Sequence, residues 1–323
     1  MDVVAVDIGG THARFAIAEV ADGRVVSLGE VVTQKTADHT GLPTAWEDFG
    51  KALGRPLPRA VALSVAMPVG GEVLKFTNNP WIIRPALIPE RLGVDDYVII
   101  NDFAAVAHAV AQVGPEWFIH LCGPDTPLPE TGAVTICGPG TGLGVAQLFR
   151  AGGDYHVIPT EGGHIDFAPL DGFEDQLTKR LRASLGRVSA ERVVSGPGIV
   201  AIYETLAAIE GRAIQHLGDK EIWALALESG DPLATAALDR FCLSLGAVAG
   251  DLALAHGPTG VVIAGGLGLR LKDRLLESGF EQRFAAKGRF QTLMRSIPVK
   301  IITHPQPGLF GAAAAFAQTH TRR

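Results

Sequence analysis

The sequence predicts an α/β protein built from two related domains in tandem. Its 323 residues suggest two domains, each large enough to bury a core of its own. A pattern of strand, glycine turn and strand near the N-terminus returns 130 positions later, as the spacing from Gly10 to Gly140 shows. After each copy, strand-like and helix-like segments alternate, which favours a mixed sheet flanked by helices.

The first copy opens with the pattern of a β-hairpin. A strand at 3–6 leads into Gly9-Gly10-Thr11, a second strand covers 14–18, and the Asp22-Gly23 turn leads into a third strand at 25–32. β-branched residues bounded by Gly and Asp-Gly are the expected hairpin signal. Further strands are predicted at 60–65 and 97–100, and a helix at 102–113.

The second copy follows the same plan. A strand at 133–136 leads into Gly140-Thr141, a second strand covers 143–149, and Gly152-Gly153 forms the next turn. Later strands are predicted at 155–158, 261–264 and 299–303. The stretch 122–132 is too rich in proline and glycine for a helix or a central strand. It is either a crossing between the domains or a loop just inside the second one.

Composition and charge exclude several classes of protein. With 47% hydrophobic and 19% charged residues the chain is globular, and its formal net charge of −6 argues against a nucleic-acid partner, which needs a basic face. Cys122, Cys137 and Cys242 lack C-x-x-C spacing, so neither a disulfide framework nor a cysteine-rich zinc site is indicated. No apolar run approaches the roughly 18 residues of a membrane span, and no signal-peptide pattern is present. We therefore expect no membrane association and a cytoplasmic location.

The first glycine turn has the features of a phosphate site. Gly9 and Gly10 permit backbone conformations closed to other residues, and their N–H groups can line a nest for anions. Thr11 adds a hydroxyl donor. Asp7, at the end of the strand, suits Mg²⁺ held through water. A plain hairpin turn capped by Asp7 is the alternative interpretation.

The second turn carries four glycines in residues 138–144, which weakens a strand pair unless a ligand approaches the backbone closely. Neither turn has the glycine spacing of a Walker or Rossmann site, so two facing hairpins that clamp a phosphate chain are favoured. Cys137 stands where the first copy has Asp7, which favours a single metal ion. The candidate contacts are Gly138, Gly140, Thr141 and Gly142.

A third glycine cluster follows a predicted buried strand and opens a predicted helix. Its first members are Gly265 and Gly266. Glycines at this position let a flat adenine ring lie against the backbone. Close packing between the strand and the helix is the alternative interpretation.

Asn101 and Asp102 lie at a junction between a strand and a helix. Both residue types are common N-caps, which is one interpretation. However, ligand chemistry in α/β sheets tends to occur at the carboxyl ends of strands. An aspartate there can accept the proton of a sugar hydroxyl that attacks a terminal phosphate, so Asp102 is the candidate general base.

Three further polar residues, Glu161, His164 and Glu191, suit the recognition of sugars, because a carboxylate or an imidazole can form hydrogen bonds to two adjacent sugar hydroxyls. Glu161 and His164 are alternatively a metal pair, although no cysteine cluster nearby completes a zinc site. Glu191 is alternatively a solvated acid at the start of a helix.

In combination these motifs resemble those of bacterial glucokinases, over essentially the whole chain. The segments that carry the resemblance are Asp7-Ile8-Gly9-Gly10-Thr11, Asn101-Asp102, the glycine run 138–144, Glu161-Gly162-Gly163-His164, the segment 191–198 and Gly265-Gly266. The resemblance implies an actin-like fold of two duplicated ribonuclease-H-like domains with an interdomain cleft. It also implies a small domain of 1–112 plus 307–323, a large domain of 113–306, and a homodimer.

The resemblance further implies ATP-dependent phosphorylation of glucose at its 6-hydroxyl, a step of glycolysis, with Mg²⁺ as cofactor. By similarity, Asp102 is the general base, and glucose is bound by Asn101, Asp102, Glu161, His164 and Glu191. The ATP phosphates are held by Val6, Asp7, Ile8, Gly9, Gly10 and Thr11.

One position departs from the family pattern, because His12 follows Thr11 where the family usually has asparagine. The segment after His164 lacks the cysteine-rich zinc motif of the related repressor and kinase family, so no zinc is expected. The rival functions are a kinase for mannose, fructose or an amino sugar, a non-catalytic nucleotide-dependent sugar sensor, and an actin-like filament protein.

Overall fold

The structure is a computed structural model and describes residues 1–76 and 78–321. The chain divides into two compact units. Unit 1 consists of Met1–Gly114 and His304–Arg323, and unit 2 consists of Pro115–Thr303.

Fourteen strands and twelve α-helices occur in the described part of the chain. The strands are β1 Asp2–Ile8, β2 His12–Ala21, β3 Arg24–Leu28, β4 Val32–Lys35, β5 Ala60–Val65, β6 Leu74–Lys75, β7 Ile82–Ile83, β8 Asp96–Asn101, β9 Phe118–Cys122, β10 Gly132–Pro139, β11 Leu143–Ala151, β12 Asp154–Thr160, β13 Pro258–Ile263 and β14 Val299–Ile302. The α-helices are α1 Leu42–Leu53, α2 Ile88–Leu92, α3 Asp102–Gln112, α4 Gly172–Leu185, α5 Gly198–Ile209, α6 Asp219–Ala224, α7 Pro232–His256, α8 Gly265–Arg270, α9 Lys272–Glu277, α10 Phe280–Ala285, α11 Gln291–Arg295 and α12 Pro307–His320.

The sheet of unit 1 has the strand order β3-β2-β1-β5-β8, with β4 also paired to β2. β1, β2 and β3 are antiparallel neighbours, whereas β5 and β8 continue the sheet in parallel. The predicted third strand at 25–32 is wrong in part, because it divides into β3 and β4 after Leu28. The amide of Gly29 donates to the carbonyl of Ile17 at 2.8 Å, which marks the place where the pairing changes.

Both faces of this sheet are covered. Alternate residues of β1 point to opposite faces, so Val4 joins the core under α1, which contains Trp46, while Val3 joins the core under α12. α12 lies against α3, β1 and β5. α12 and α3 approach each other closely at Gly311, where a Cβ would lie 3.0 Å from the Cα of Ala105. Only glycine fits at this position.

Unit 2 repeats the plan of unit 1. Its strand order is β12-β11-β10-β13-β14-β9, in which β10, β11 and β12 are antiparallel and β13 and β14 are parallel to β10 and to each other. β9 adds an antiparallel edge strand beside β14. Two sheets with three antiparallel strands followed by two parallel ones confirm the predicted duplication. Residues 123–131 connect β9 to β10 and form a loop within unit 2.

α7 is the main core helix of unit 2, and its Phe241 and Leu245 are fully buried. Among the described residues it is the one helix that could cross a membrane by length and composition. However, 72% of its most apolar 18-residue stretch is buried inside the protein. Core helices of soluble proteins meet the same criterion.

Candidate active site

The first glycine turn joins β1 to β2 and is held from behind. Asn79 Nδ2 donates to the carbonyl of Gly9 at 3.1 Å, and Thr36 Oγ1 donates to the carbonyl of Gly10 at 3.1 Å. The amides of Gly10 and Thr11 donate no hydrogen bond to another described residue. A turn with its carbonyls engaged and two amides available is suited to an anion.

The expected reason for glycine in the first turn, a backbone conformation closed to other residues, is wrong. Neither Gly9 nor Gly10 has a positive φ, and neither do Gly138 and Gly142. Space is the requirement instead at most of these positions. A Cβ on Gly10 would lie 3.2 Å from the Cβ of Asn78, a contact tighter than nine in ten real Cβ contacts.

Asp7 lies near the end of β1 between the fully buried Val6 and Ile8, and 22% of its side chain is exposed. Ser64 Oγ donates to its Oδ1 at 2.9 Å, and a guanidinium nitrogen of Arg14 lies 3.5 Å from its Oδ2. Burial raises the pKa of Asp7, while the Ser64 hydrogen bond and the Arg14 charge act in the opposite direction. A single carboxylate fits Mg²⁺, since this ion usually takes one or two protein carboxylates and completes its shell with water and substrate phosphates.

Position 137 provides no second carboxylate, because it is a cysteine on β10. Burial raises the pKa of the Cys137 thiol to about 12, so the side chain is neutral at physiological pH. The side chains of Val6 and Ile8 are also fully buried, so these residues can offer a ligand only their backbone.

Asn101 is the N-cap of α3, as one of the two interpretations of this motif predicts. Its Oδ1 accepts from the amides of Phe103 at 2.9 Å and Ala104 at 3.2 Å, and its Nδ2 donates to the carbonyl of Met67 at 3.3 Å. These bonds fix the junction between β8 and α3. The half-buried Asp102 is the first residue of α3, and its Oδ1 also accepts from the amide of Phe103 at 2.9 Å.

The second glycine turn in unit 2 is packed against the third glycine cluster. A Cβ on Gly138 would lie 3.1 Å from the Cα of Ala264 and closer still to the Ala264 carbonyl. Gly265 has φ +81°, and a Cβ there would lie 2.8 Å from the carbonyl oxygen of Pro139. Gly266 has no heavy atom within 4 Å of its Cβ position. Close packing therefore explains Gly138 and Gly265, while Gly266 faces open space.

Glu191 contacts the same turn. Its Oε2 accepts from the amide of Leu143 at 2.9 Å, and the carboxylate fills the place where a Cβ on Gly142 would be. The residue lies in a 3₁₀ helix, Ala190–Arg192, and is half-buried. It is therefore a fixed part of the turn and not a solvated acid at the start of a helix.

Glu161 and His164 lie at the two ends of a short helical segment beside this turn. His164 Nε2 is 4.0 Å from Glu161 Oε2, and both side chains are more than half exposed. The segment packs closely against Leu143, since a Cβ on Gly163 would lie 3.1 Å from the Cβ of Leu143 and closer to its carbonyl. No group of three or more His, Cys, Asp or Glu side chains that could hold a metal occurs within 1–76 and 78–321.

A backbone contact joins the Glu161–His164 segment to the 3₁₀ helix of Glu191. The amide of Ala190 donates to the carbonyl of Ile165 at 2.8 Å, and the amide of Phe167 donates to the carbonyl of Val188 at 3.0 Å. Unit 2 thus gathers three of the predicted motifs, which are distant in sequence, around one turn.

The sequence reasoning missed the residues that hold the first turn and Asp7 in place. Asn79 is 6% exposed and bonds both to Gly9 and, through its Oδ1, to the amide of Trp81 at 2.9 Å. Ser64 is fully buried beneath Asp7. The pair Asn78-Asn79 before proline and tryptophan is the sequence signal that was available.

The chain is similar to known proteins over nearly its whole length. The glucokinase family model matches residues 4–319. A glucokinase of Zymomonas mobilis is 63% identical over 321 residues, which cover 99% of both chains. The crystal structure of a glucokinase from an Antarctic psychrotroph matches with a TM-score of 0.86 at 34% identity, over 98% of both chains. A ROK hexokinase from Thermus thermophilus, 19% identical over 97% of both chains, matches in fold with a TM-score of 0.63.

Proposed function

Since the chain belongs to the glucokinase family and phosphorylates glucose, we propose that ATP is the phosphoryl donor and that Asp102 is the general base. One observation in unit 1 carries the assignment of the base. Asp102 follows the carboxyl end of β8, and the first glycine turn follows the carboxyl end of β1, with β5 between them. Neighbouring strands lie about 4.8 Å apart, so the two positions are separated by roughly 10 Å. A sugar hydroxyl and the terminal phosphates of ATP span such a distance.

The proposed reaction requires one proton acceptor and a phosphate site. The Asp102 carboxylate accepts the proton of the 6-hydroxyl as its oxygen forms a bond to the terminal phosphorus, and the bond from that phosphorus to ADP breaks. The amides of Gly10 and Thr11, which donate to no other described residue, are available to donate to the phosphate oxygens. Asp7 would hold Mg²⁺, and the bound ion would neutralise charge on the phosphates.

We assign glucose recognition to Asn101, Asp102, Glu161, His164 and Glu191. The contacts of Glu191 support its part in this assignment. Its Oε2 is fixed by the amide of Leu143, and its Oε1 has no hydrogen bond to another described residue. A carboxylate held by one oxygen can accept from sugar hydroxyls with the other at little cost in side-chain entropy.

We assign nucleotide binding to the backbone of residues 6–11 and to glycine-rich positions of unit 2. The support from unit 2 is the contact between the turn 138–142 and Gly265, which brings two glycine motifs to one place. The open space at Gly266 suits a flat ring. The residues of unit 2 in this assignment are Gly138, Gly140, Thr141, Gly142, Gly265 and Gly266. A homodimer in the cytoplasm is the assembly and location that we propose with this activity.

A coupled assay of ADP release with a panel of hexoses tests the proposal. Glucose should give the highest kcat/KM, and omission of Mg²⁺ should abolish turnover. ADP release that no hexose stimulates would contradict the proposal and would favour a sugar sensor. A higher kcat/KM for mannose, fructose or an amino sugar would overturn the assignment of the polar residues to glucose.

A further inference from the structure

Unit 2 contains an exposed arginine that bonds to the backbone of a residue assigned to glucose. Arg187 Nη2 donates to the carbonyl of His164 at 2.7 Å, and Arg187 Nε donates to Asp166 Oδ1 at 2.6 Å. Arg187 and Asp166 are 21 positions apart in the chain, and both side chains are more than half exposed. Neither residue is among those assigned to glucose or ATP. We call this pair of bonds the Arg187 fork.

The Arg187 fork reinforces the backbone contact between residues 165–167 and 188–190. Asp166 and Ser189 form an antiparallel β-bridge at the centre of this contact. Arg187 lies two positions before Ser189, so its side chain reaches across to Asp166 as diagonal neighbours in a sheet do. The backbone bonds end at Ile165, and the fork extends the connection by one residue to the carbonyl of His164.

The imidazole of His164 is held only weakly by its own contacts. Its side chain is 56% exposed, and the distance of 4.0 Å from Nε2 to Glu161 Oε2 is longer than a hydrogen bond. The direction of such a side chain depends on the backbone that carries it. The bond from Arg187 fixes this backbone, because it engages the peptide between His164 and Ile165.

We infer that Arg187 is a positioning residue for glucose binding. It fixes the backbone of His164 relative to the segment that leads into Glu191, so both side chains are in place before glucose binds. A guanidinium suits this task, because its planar group donates to two acceptors at once. Preorganisation of this kind lowers the entropy cost of ordering side chains on binding. The inference rests on the proposed assignment of Glu161, His164 and Glu191 to glucose.

Isothermal titration calorimetry of the full chain with glucose measures this effect without a readout of activity. Arg187→Gln should raise the Kd for glucose by about 3- to 10-fold, the cost of ordering one side chain on binding. Arg187→Lys keeps the charge but not the planar fork, so its Kd should be intermediate. The KM for ATP should not change in either variant. The Tm should also change little, because exposed ion pairs contribute little to stability.

Arg59→Gln is the matched control. Arg59 forms a similar fork in unit 1, where its Nε and Nη2 donate to the carboxylate of Asp95, and both side chains are also more than half exposed. This variant should keep the wild-type Kd for glucose. A double-mutant cycle tests whether Arg187 acts through His164. In the background His164→Ala, the substitution Arg187→Gln should add little to the Kd.

The inference is overturned if a folded Arg187→Gln protein keeps the wild-type Kd for glucose while His164→Ala raises it, and the proposed function would then stand. Full additivity of these two substitutions also overturns it, as does an equal rise in Kd for Arg59→Gln, which would indicate a general effect of surface charge. An unchanged Kd in His164→Ala would contradict the proposed role of His164 and the inference together.

Discussion

The substitution Gly142→Ala should separate the fold from glucose recognition. A Cβ at this position would stand 3.1 Å from Glu191 Cδ and closer to Oε2, whereas ordinary contact begins near 3.4 Å. Because the obstructing atoms end a flexible side chain, the fold can adapt by moving the carboxylate on the order of 1 Å. The bond from the Leu143 amide to Oε2, now 2.9 Å, is then lost or distorted.

The energetic consequence follows from the charge on the acceptor. A hydrogen bond from a glucose hydroxyl to the charged Glu191 carboxylate contributes about 1.5–3 kcal/mol. Loss of such a bond when Glu191 is displaced should raise the Kd for glucose by roughly 10- to 100-fold. The loss in the free energy of unfolding should be smaller, since the displaced carboxylate can reach water. Gly172→Ala, at the start of α4 with no heavy atom within 4 Å of the new Cβ, is the matched control for stability.

Calorimetry with glucose and urea unfolding measure the two quantities, and a double-mutant cycle tests the cause. If Gly142→Ala acts through Glu191, it should cost little more in the background Glu191→Ala. Full additivity of the two substitutions, or an unchanged Kd for glucose in a folded Gly142→Ala protein, would refute the reasoning.

Three more substitutions test the turns and Asp7. Burial raises the pKa of Asp7, so the carboxyl contributes its full stabilisation below the pKa of Asp7 in the unfolded chain, near 3.8, and this stabilisation declines as the pH rises through the folded pKa. Asp7→Asn should therefore raise Tm relative to the wild type, and by more at pH 7 than at pH 3.5. The same substitution should abolish turnover with Mg·ATP. Gly138→Ala forces a Cβ against the backbone of Ala264, which cannot move aside as a side chain can, so urea unfolding should show a loss of about 1–3 kcal/mol. Asn79→Ala removes the bond to the Gly9 carbonyl and leaves buried polar groups unsatisfied, so stability should fall by about 1–3 kcal/mol and the KM for ATP should rise more than the KM for glucose.

Each of these predictions has a contrary outcome. An equal change in Tm at both pH values would show that Asp7 is not the source of the pH dependence. Wild-type stability of Gly138→Ala would mean that Gly138 does not pack closely against Ala264. A larger rise in the KM for glucose than for ATP in Asn79→Ala would contradict the assignment of the first turn to phosphate.

Much of the fold could be predicted because its signals are local. The Gly9-Gly10-Thr11 and Gly140-Thr141 turns lie between β-branched strands, and their spacing identified a duplication that the two sheet topologies confirm. The division of the third strand into β3 and β4 could not be predicted, since Gly29 is held by Ile17 across the sheet. Its cause is a contact between strands and not a pattern along one strand.

The candidate site shows the same distinction. The positions of Asn101 and Asp102 at the end of a strand follow from a local pattern. The need for glycine at 138 and 142 does not follow from a local pattern, because the atoms that require it belong to Ala264 and Glu191, far along the chain. Ser64 and Asn79 were missed for the same reason, since each acts by supporting another residue.

The central claim, that Asp102 is the base of a glucose kinase, is tested most directly by Asp102→Asn. Asparagine keeps the size and the hydrogen-bonding oxygen but cannot take the proton, so turnover with glucose and ATP should fall about 100-fold or more while the Kd for glucose changes little. Asp96→Asn, at the exposed beginning of the same strand β8, is the matched control and should keep wild-type turnover. Near-normal turnover of Asp102→Asn at saturating glucose would contradict the claim.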